Sequence, residues 1–206
     1  DREISAMAKE TPAQLQRISG LPIPNPETLP EDLQKYMAVC EDKLGMVPNV
    51  IKAFSFRPEK LRTFIATYNE LMLSADSPLT RLEREMIAVV VSSHNHCVYC
   101  ITSHSQAVRE FSDDPVLGDI LVTNYREAEL TDRQRTMLDY AWKMTAKPAE
   151  IGEVDRQALV SAGFTAEEIF DITDVVAYFN YTNRMTHGLG MQPNTEYFAM
   201  NRIKNA

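Results

Sequence analysis

The chain has 206 residues, 44% hydrophobic and 24% charged, which suits one well-formed core with an extension. Its formal net charge of −8 excludes the basic face that nucleic-acid phosphates or an anionic membrane surface would need. The longest apolar block, Met86 to Val91, is far short of the roughly 18 residues a membrane-spanning helix requires.

Residues 1–30 read as a Pro-rich N-terminal arm. A short helix is expected over residues 4–18. Leu21-Pro22-Ile23-Pro24-Asn25-Pro26 cannot continue it, because each proline lacks a donor and restricts its predecessor. From 31 to 206 the pattern is that of an all-α domain. Gly is scarce, at 7, and Met common, at 10. Pro30 precedes a helix from Glu31 to Leu44, stopped by Gly45, and Cys40 reads as a buried, inert thiol within it. Pro48-Asn49 opens a short helix to Phe56, and Pro58 opens another. The latter places Leu61, Phe64, Ile65, Tyr68, Leu71 and Met72 on one face. Thr80, with Glu83 as capping-box partner, starts a helix to about Ser92. Asn95 is expected to cap the next. A short helix follows Pro115, another runs from Thr131 or Asp132 to Lys147, and one more spans 153–162. Thr165 with Glu168 caps the last, to about His187. Val89-Val90-Val91 continues a helical face, so no strand is expected. Leu79-Thr80 followed by Arg84, Met86 and Ile87 recurs as Leu130-Thr131 followed by Arg135, Met137 and Leu138. This weak echo suggests a duplicated helical hairpin.

Three Cys are too few for a secreted disulfide scaffold, and the usage predicts a cytoplasmic protein. Cys97 and Cys100 form a C-x-x-C pair, and His104 follows one helical turn later. All three share one helix face, with Cys97 in the first turn, where unpaired backbone N–H groups favour a thiolate. One thiol can attack an oxidant and the other can resolve the sulfenic acid as a disulfide. Glu85, from the preceding helix, can orient the imidazole or pass protons. This reading needs the sulfurs together at the mouth of a helix, within reach of a small oxidant.

Two other readings remain open. Cys97, Cys100 and His104, with His94 or His96, could bind zinc in a structural module. The thiols could also be incidental to a cofactor-free lyase. Gly188-Leu189-Gly190 reads as a helix stop rather than a dinucleotide loop, so no cofactor is expected. Trp142, Tyr140 and Met144 read as core, and His187 as a cation at a helix C-terminus.

The run Leu79 to His104, with Arg84-Glu85, the apolar stretch, Asn95, Cys97, Cys100 and His104, is similar to the core motif of the alkylhydroperoxidase D-like, carboxymuconolactone decarboxylase superfamily. Phe179-Asn180-Tyr181-Thr182-Asn183-Arg184 resembles its peroxidase-related branch. The resemblance implies an all-α fold assembling as a homo-oligomer, trimer or hexamer. It implies a thiol peroxidase acting on a hydroperoxide substrate and recharged by an external thiol or protein reductant. Cys100 then matches the peroxide-attacking Cys, Cys97 the resolving one, and Glu85 and His104 the proton relay. Tyr99 stands where well-studied members carry His, and a phenol, with a pKa of about 10, is a poor proton carrier near neutrality. The decarboxylase branch lacks the Cys pair.

Overall fold

The computed structural model describes residues 17–202, and the expected helix over 4–18 lies almost wholly outside them. Among the described residues the regular structure is helical: α1 (Glu31–Leu44), α2 (Asn49–Phe54), α3 (Pro58–Tyr68), α4 (Arg81–His94), α5 (Val98–Ser112), α6 (Leu117–Asn124), α7 (Asp132–Ala146), α8 (Glu153–Ser161) and α9 (Ala166–Leu189). The fold is all-α. None of these helices is long and apolar enough to cross a membrane.

Local chemistry sets most of the ends. Thr80 and Glu83, Thr131 and Gln134, and Thr165 and Glu168 each form a reciprocal capping box, so two orphan N-terminal N–H groups find acceptors. Gly45 ends α1 at φ 69°, a left-handed conformation that costs glycine little. Gly190 ends α9 the same way at φ 60°, so the Gly-Leu-Gly is a helix stop. A π-helical turn, Asn69–Leu73, prolongs α3 and buries Met72 completely.

The centre of the molecule is α4. Met86, Ile87, Ala88, Val89, Val90 and Val91 are all at most 1% exposed. A helix apolar all round must be covered all round, and α4 packs on α5, α6, α7 and α9. This explains how three consecutive valines sit in a helix despite their strand preference: burial outweighs a propensity difference of under about 1 kcal/mol per residue. Close approach tightens the α5–α6 contact, since a Cβ at Gly118 would stand 2.5 Å from the Ser105 carbonyl oxygen.

Residues 17–20 lie against the end of α9. Gly20 N–H donates to the Leu189 carbonyl at 2.7 Å, Ser19 Oγ donates to the same oxygen at 3.0 Å, and Gln192 N–H donates to Ile18 O at 3.0 Å. The proline stretch is non-helical until a single 3₁₀ turn at Pro26–Thr28.

Candidate active site

The turn between α4 and α5 differs from the expected one. Helix α4 continues to His94, and Asn95 is its C-cap rather than the N-cap of α5. Cys97 itself occupies the N-cap of α5. The physical reason is a tight two-residue reversal: His96 takes φ 53°, and Cys97 N–H donates back to Ser92 O at 2.9 Å. Asn95 is thereby turned toward α9, where its Nδ2 donates to Asn180 Oδ1 at 3.0 Å and to Asn183 Oδ1 at 2.9 Å. Asn183 Nδ2 donates to Ser92 Oγ at 3.0 Å. His187 Nε2 donates to the Asn95 carbonyl at 3.0 Å, which gives this helix-end imidazole a definite task. The turn carrying the thiols is therefore tied to the last long helix at four points.

The two sulfurs are neighbours, and each thiol is free. The Cys97 thiol is pulled from the ordinary 9.0 down to about 6, chiefly by the neighbouring Cys100 thiol. Burial opposes this; the Cys100 backbone N–H, the His187 charge and the Thr186 hydroxyl assist it. Cys100 is pushed the other way, because its proton is held by Cys97, it is buried, and it faces the Cys97 charge. The pair therefore favours ionisation at Cys97 over Cys100, whose sulfur lies 4.0 Å from Thr186 Oγ1.

His104, on α5, donates from Nδ1 to Glu85 Oε2 of α4 at 2.6 Å. Glu85 is 1% exposed, and its other oxygen lies 3.8 Å from Arg81 Nη2. A buried carboxylate survives only when paired, and here it fixes the imidazole with Nε2 as the remaining ring nitrogen. Phe179 stacks edge-on against the ring at 4.7 Å. Arg84 lies buried beside Glu85 but turns away, donating to the carbonyls of Leu71 at 3.2 Å and Ser74 at 3.0 Å.

The structure places both thiols at the start of α5 and sets Glu85 against His104. It differs in accessibility. Cys97 is 0% exposed and Cys100 4%, so the sulfurs lie at the mouth of the helix but beneath a cover. That cover includes Thr186 and Asn183 of α9; Tyr99, between the two Cys, turns its hydroxyl to accept from Val50 N–H at 2.9 Å. Burial holds the Tyr99 phenol well above its ordinary pKa, so it anchors α2 rather than carrying protons. Sequence reasoning missed Thr186 and Asn183 as neighbours of the sulfurs. Helical periodicity marks their face of α9 as buried but does not say what it meets.

Other singled-out residues fall elsewhere. His94 packs edge-on against Trp142 at 5.4 Å, and Cys40 is buried with its pKa raised by that burial. Tyr140 is buried, and Trp142 and Met144 pack partly buried against the core. Among the described residues no group of three or more His, Cys, Asp or Glu stands together as metal donors, so the zinc reading lacks a ligand set here. A groove of about 550 Å³ between residues 70–78 and the first turns of α9 shares no residue with the thiol site.

Comparison with known proteins agrees with the all-helical fold. The carboxymuconolactone decarboxylase family model matches residues 58–115. The chain is 52% identical to an uncharacterized peroxidase-related protein from Silicibacter sp. TM1040, with TM-score 0.87, covering 91% of this chain and 97% of that one. It is 40% identical to an uncharacterized peroxidase-related protein with an alkylhydroperoxidase AhpD core from Ralstonia eutropha JMP134, with TM-score 0.89, covering 92% and 99%. The debrominase Bmp8, 17% identical with TM-score 0.72 over 89% of this chain and 95% of that one, shares the fold. No curated protein matches the chain. On these grounds the chain belongs to the alkylhydroperoxidase D-like, carboxymuconolactone decarboxylase superfamily, in its peroxidase-related branch.

Proposed function

We propose that the protein is a thiol-dependent peroxidase that reduces hydroperoxides through Cys97 and Cys100. The observation that carries this reading is the pair of free thiols at the start of α5, with a carboxylate-fixed imidazole one turn further along the same helix. When the proton of Cys100 moves to Cys97, Cys100 becomes the thiolate. It attacks the terminal oxygen of the hydroperoxide; the S–O bond forms, the O–O bond breaks, and the electron pair leaves on the alkoxide. Cys100 is oxidised to sulfenic acid, and the alkoxide takes a proton through His104, which Glu85 keeps oriented. The Cys97 sulfur then attacks Cys100, a disulfide forms, and the sulfenic oxygen leaves as water. An external dithiol or protein thiol returns the pair to the reduced state. The buried sulfurs require a local opening at α9 for each turnover.

The test is hydroperoxide consumption with a dithiol donor. Cys100→Ser should lose turnover, and Cys97→Ser should stop after one oxidation, with a sulfenic acid trapped by dimedone. The lowered pKa of Cys97 favours a second assignment: a Cys100→Ser variant that still consumes one equivalent of peroxide would make Cys97 the attacking thiol. Retained full activity in the double Ser variant would instead favour a lyase.

The same reading includes a cytoplasmic setting, where such thiols stay reduced, and a homo-oligomer, trimer or hexamer. Support for assembly comes from large apolar side chains left open on the outer surface, among them Phe170 at 69% and Val154 at 83% exposure. A sedimentation mass of a single 23.4 kDa chain at micromolar concentration would contradict it.

A further inference from the structure

One buried group on α9 has no structural explanation. Tyr178, on α9, is 8% exposed, and its phenolic oxygen is buried without a hydrogen-bond partner among the described residues. Buried tyrosines ordinarily find a partner for the hydroxyl, and leaving one unpaired costs about 1–3 kcal/mol. The other two buried orphan atoms are Nε of Arg81 and Arg84, whose guanidinium groups are engaged through other nitrogens. Tyr178 has no second donor to offer.

The ring is fixed in the same aromatic cluster as the relay. It lies edge-on to Phe179 at 5.6 Å, and Phe179 lies edge-on to His104 at 4.7 Å. Phe64 packs on its other side at 6.1 Å. After burial, Cys100 is the ionisable group that weighs most on the phenol. Burial and the Cys100 charge raise its pKa, so it remains a neutral O–H donor at any working pH.

We infer that Tyr178 is a catalytic hydrogen-bond donor to the hydroperoxide, binding the oxygen that departs as the O–O bond breaks. The inference rests on the peroxidase reading and adds a residue to it. As Cys100 attacks the terminal oxygen, negative charge grows on the leaving oxygen, and a preorganised O–H in a dry site stabilises that charge. The phenol keeps its proton; the alkoxide is protonated through His104. The orphan hydroxyl is then a stability cost retained for function.

The experiment compares the reduced full chain with Y178F in stopped-flow oxidation by cumene hydroperoxide. The second-order rate constant should fall about tenfold to a hundredfold. Alkylation of the same thiols by iodoacetamide should stay within about twofold, because that reaction has no departing alkoxide to bind. The thermal midpoint should be equal or higher, since the variant removes an unpaired buried hydroxyl. A wild-type oxidation rate in Y178F overturns the inference, as does a lowered midpoint with parallel losses in both reactions, which would mark a structural hydroxyl. If the wild-type thiols are themselves inert to hydroperoxide, the peroxidase reading fails and takes this inference with it; a reactive wild type with an unchanged Y178F fails the inference alone.

Discussion

Helices α4 and α7 begin as near copies and end as opposites. Each opens with Leu-Thr and a capping box, and each has an arginine in its first turns that reaches back to two carbonyls of the preceding segment. Arg84 takes the carbonyls of Leu71 and Ser74; Arg135 takes Tyr125 O at 2.8 Å and Ala128 O at 2.6 Å. Both then bury apolar positions that follow at helical spacing, Met86 and Ile87 in one, Met137 and Leu138 in the other. The difference lies one residue after the arginine. Glu85 is sealed against His104, whereas Thr136 spends its hydroxyl on its own helix, donating to Asp132 O at 2.8 Å. Two copies of one structural frame thus separate what the fold needs from what the chemistry needs. The cap, the arginine and the apolar face recur; the carboxylate and the thiols do not.

The largest effect should come from breaking that asymmetry at its source. Glu85→Gln keeps the shape but removes the charge that orients His104, and peroxide turnover should fall about a hundredfold or more. Thr136→Glu in the other helix should leave turnover within about twofold. A peroxide assay on both variants checks this, and a Glu85→Gln enzyme with wild-type turnover would remove the relay from the mechanism.

Next come the paired arginines. Arg84 is 3% exposed, so Arg84→Ala strands two carbonyls in a dry interior and should cost about 2–4 kcal/mol. Arg135 is only half-buried, and its loss should cost about 1–2 kcal/mol because water can replace it. Urea denaturation of both variants gives the ratio directly. Equal costs would mean that the two segments are buried alike in solution.

These features were unequally legible in the sequence. The capping boxes depend on residues three apart, so Thr80, Thr131 and Thr165 could be read without any tertiary information, and the helix starts follow. Cys97, Cys100 and His104 sit within two turns and were legible for the same reason. Asn95 is ambiguous in the sequence because an asparagine suits either end of a helix, and only the left-handed His96 decides which end it closes. The contacts of Asn183, Thr186 and Tyr178 were hidden, because they join segments more than seventy residues apart and helical spacing names a face but not a partner. Burial of the thiols was hidden too, being a property of the cover that α9 supplies.

A third effect concerns the site's charge. The Cys97 thiol is about 6 against an ordinary 9.0, so its thiolate forms as pH rises through about 6. Iodoacetamide labelling of Cys97 should be half-maximal there and flat from neutrality upward. The first cause is the Cys100 S–H, so Cys100→Ala should move the midpoint upward by at least about one pH unit. Labelling followed by peptide mass spectrometry reads this out site by site. A midpoint that stays near 6 in Cys100→Ala would assign the shift to the N-cap position of Cys97 and to His187 instead.

The smallest effect tests the shared frame itself. Thr80→Ala and Thr131→Ala each remove a cap hydroxyl that accepts from a backbone N–H, at 3.1 Å from Glu83 and 3.2 Å from Gln134. Such a cap contributes about 1 kcal/mol. The second box is exposed, while Glu83 in the first is 7% exposed and also accepts from Arg133 Nε at 3.3 Å. Arg133 in turn pairs with Glu168, the capping partner of α9, so the first box is joined through one guanidinium to the helix that covers the thiols. Thr80→Ala should therefore cost more than Thr131→Ala, by about 0.5–1 kcal/mol, because loosening Glu83 also loosens that link. A Thr80→Ala, Arg133→Met double-mutant cycle measures the excess. A coupling near zero would mean that each box acts only on its own helix, and that the path from the first cap to the cover of the active site carries no energy.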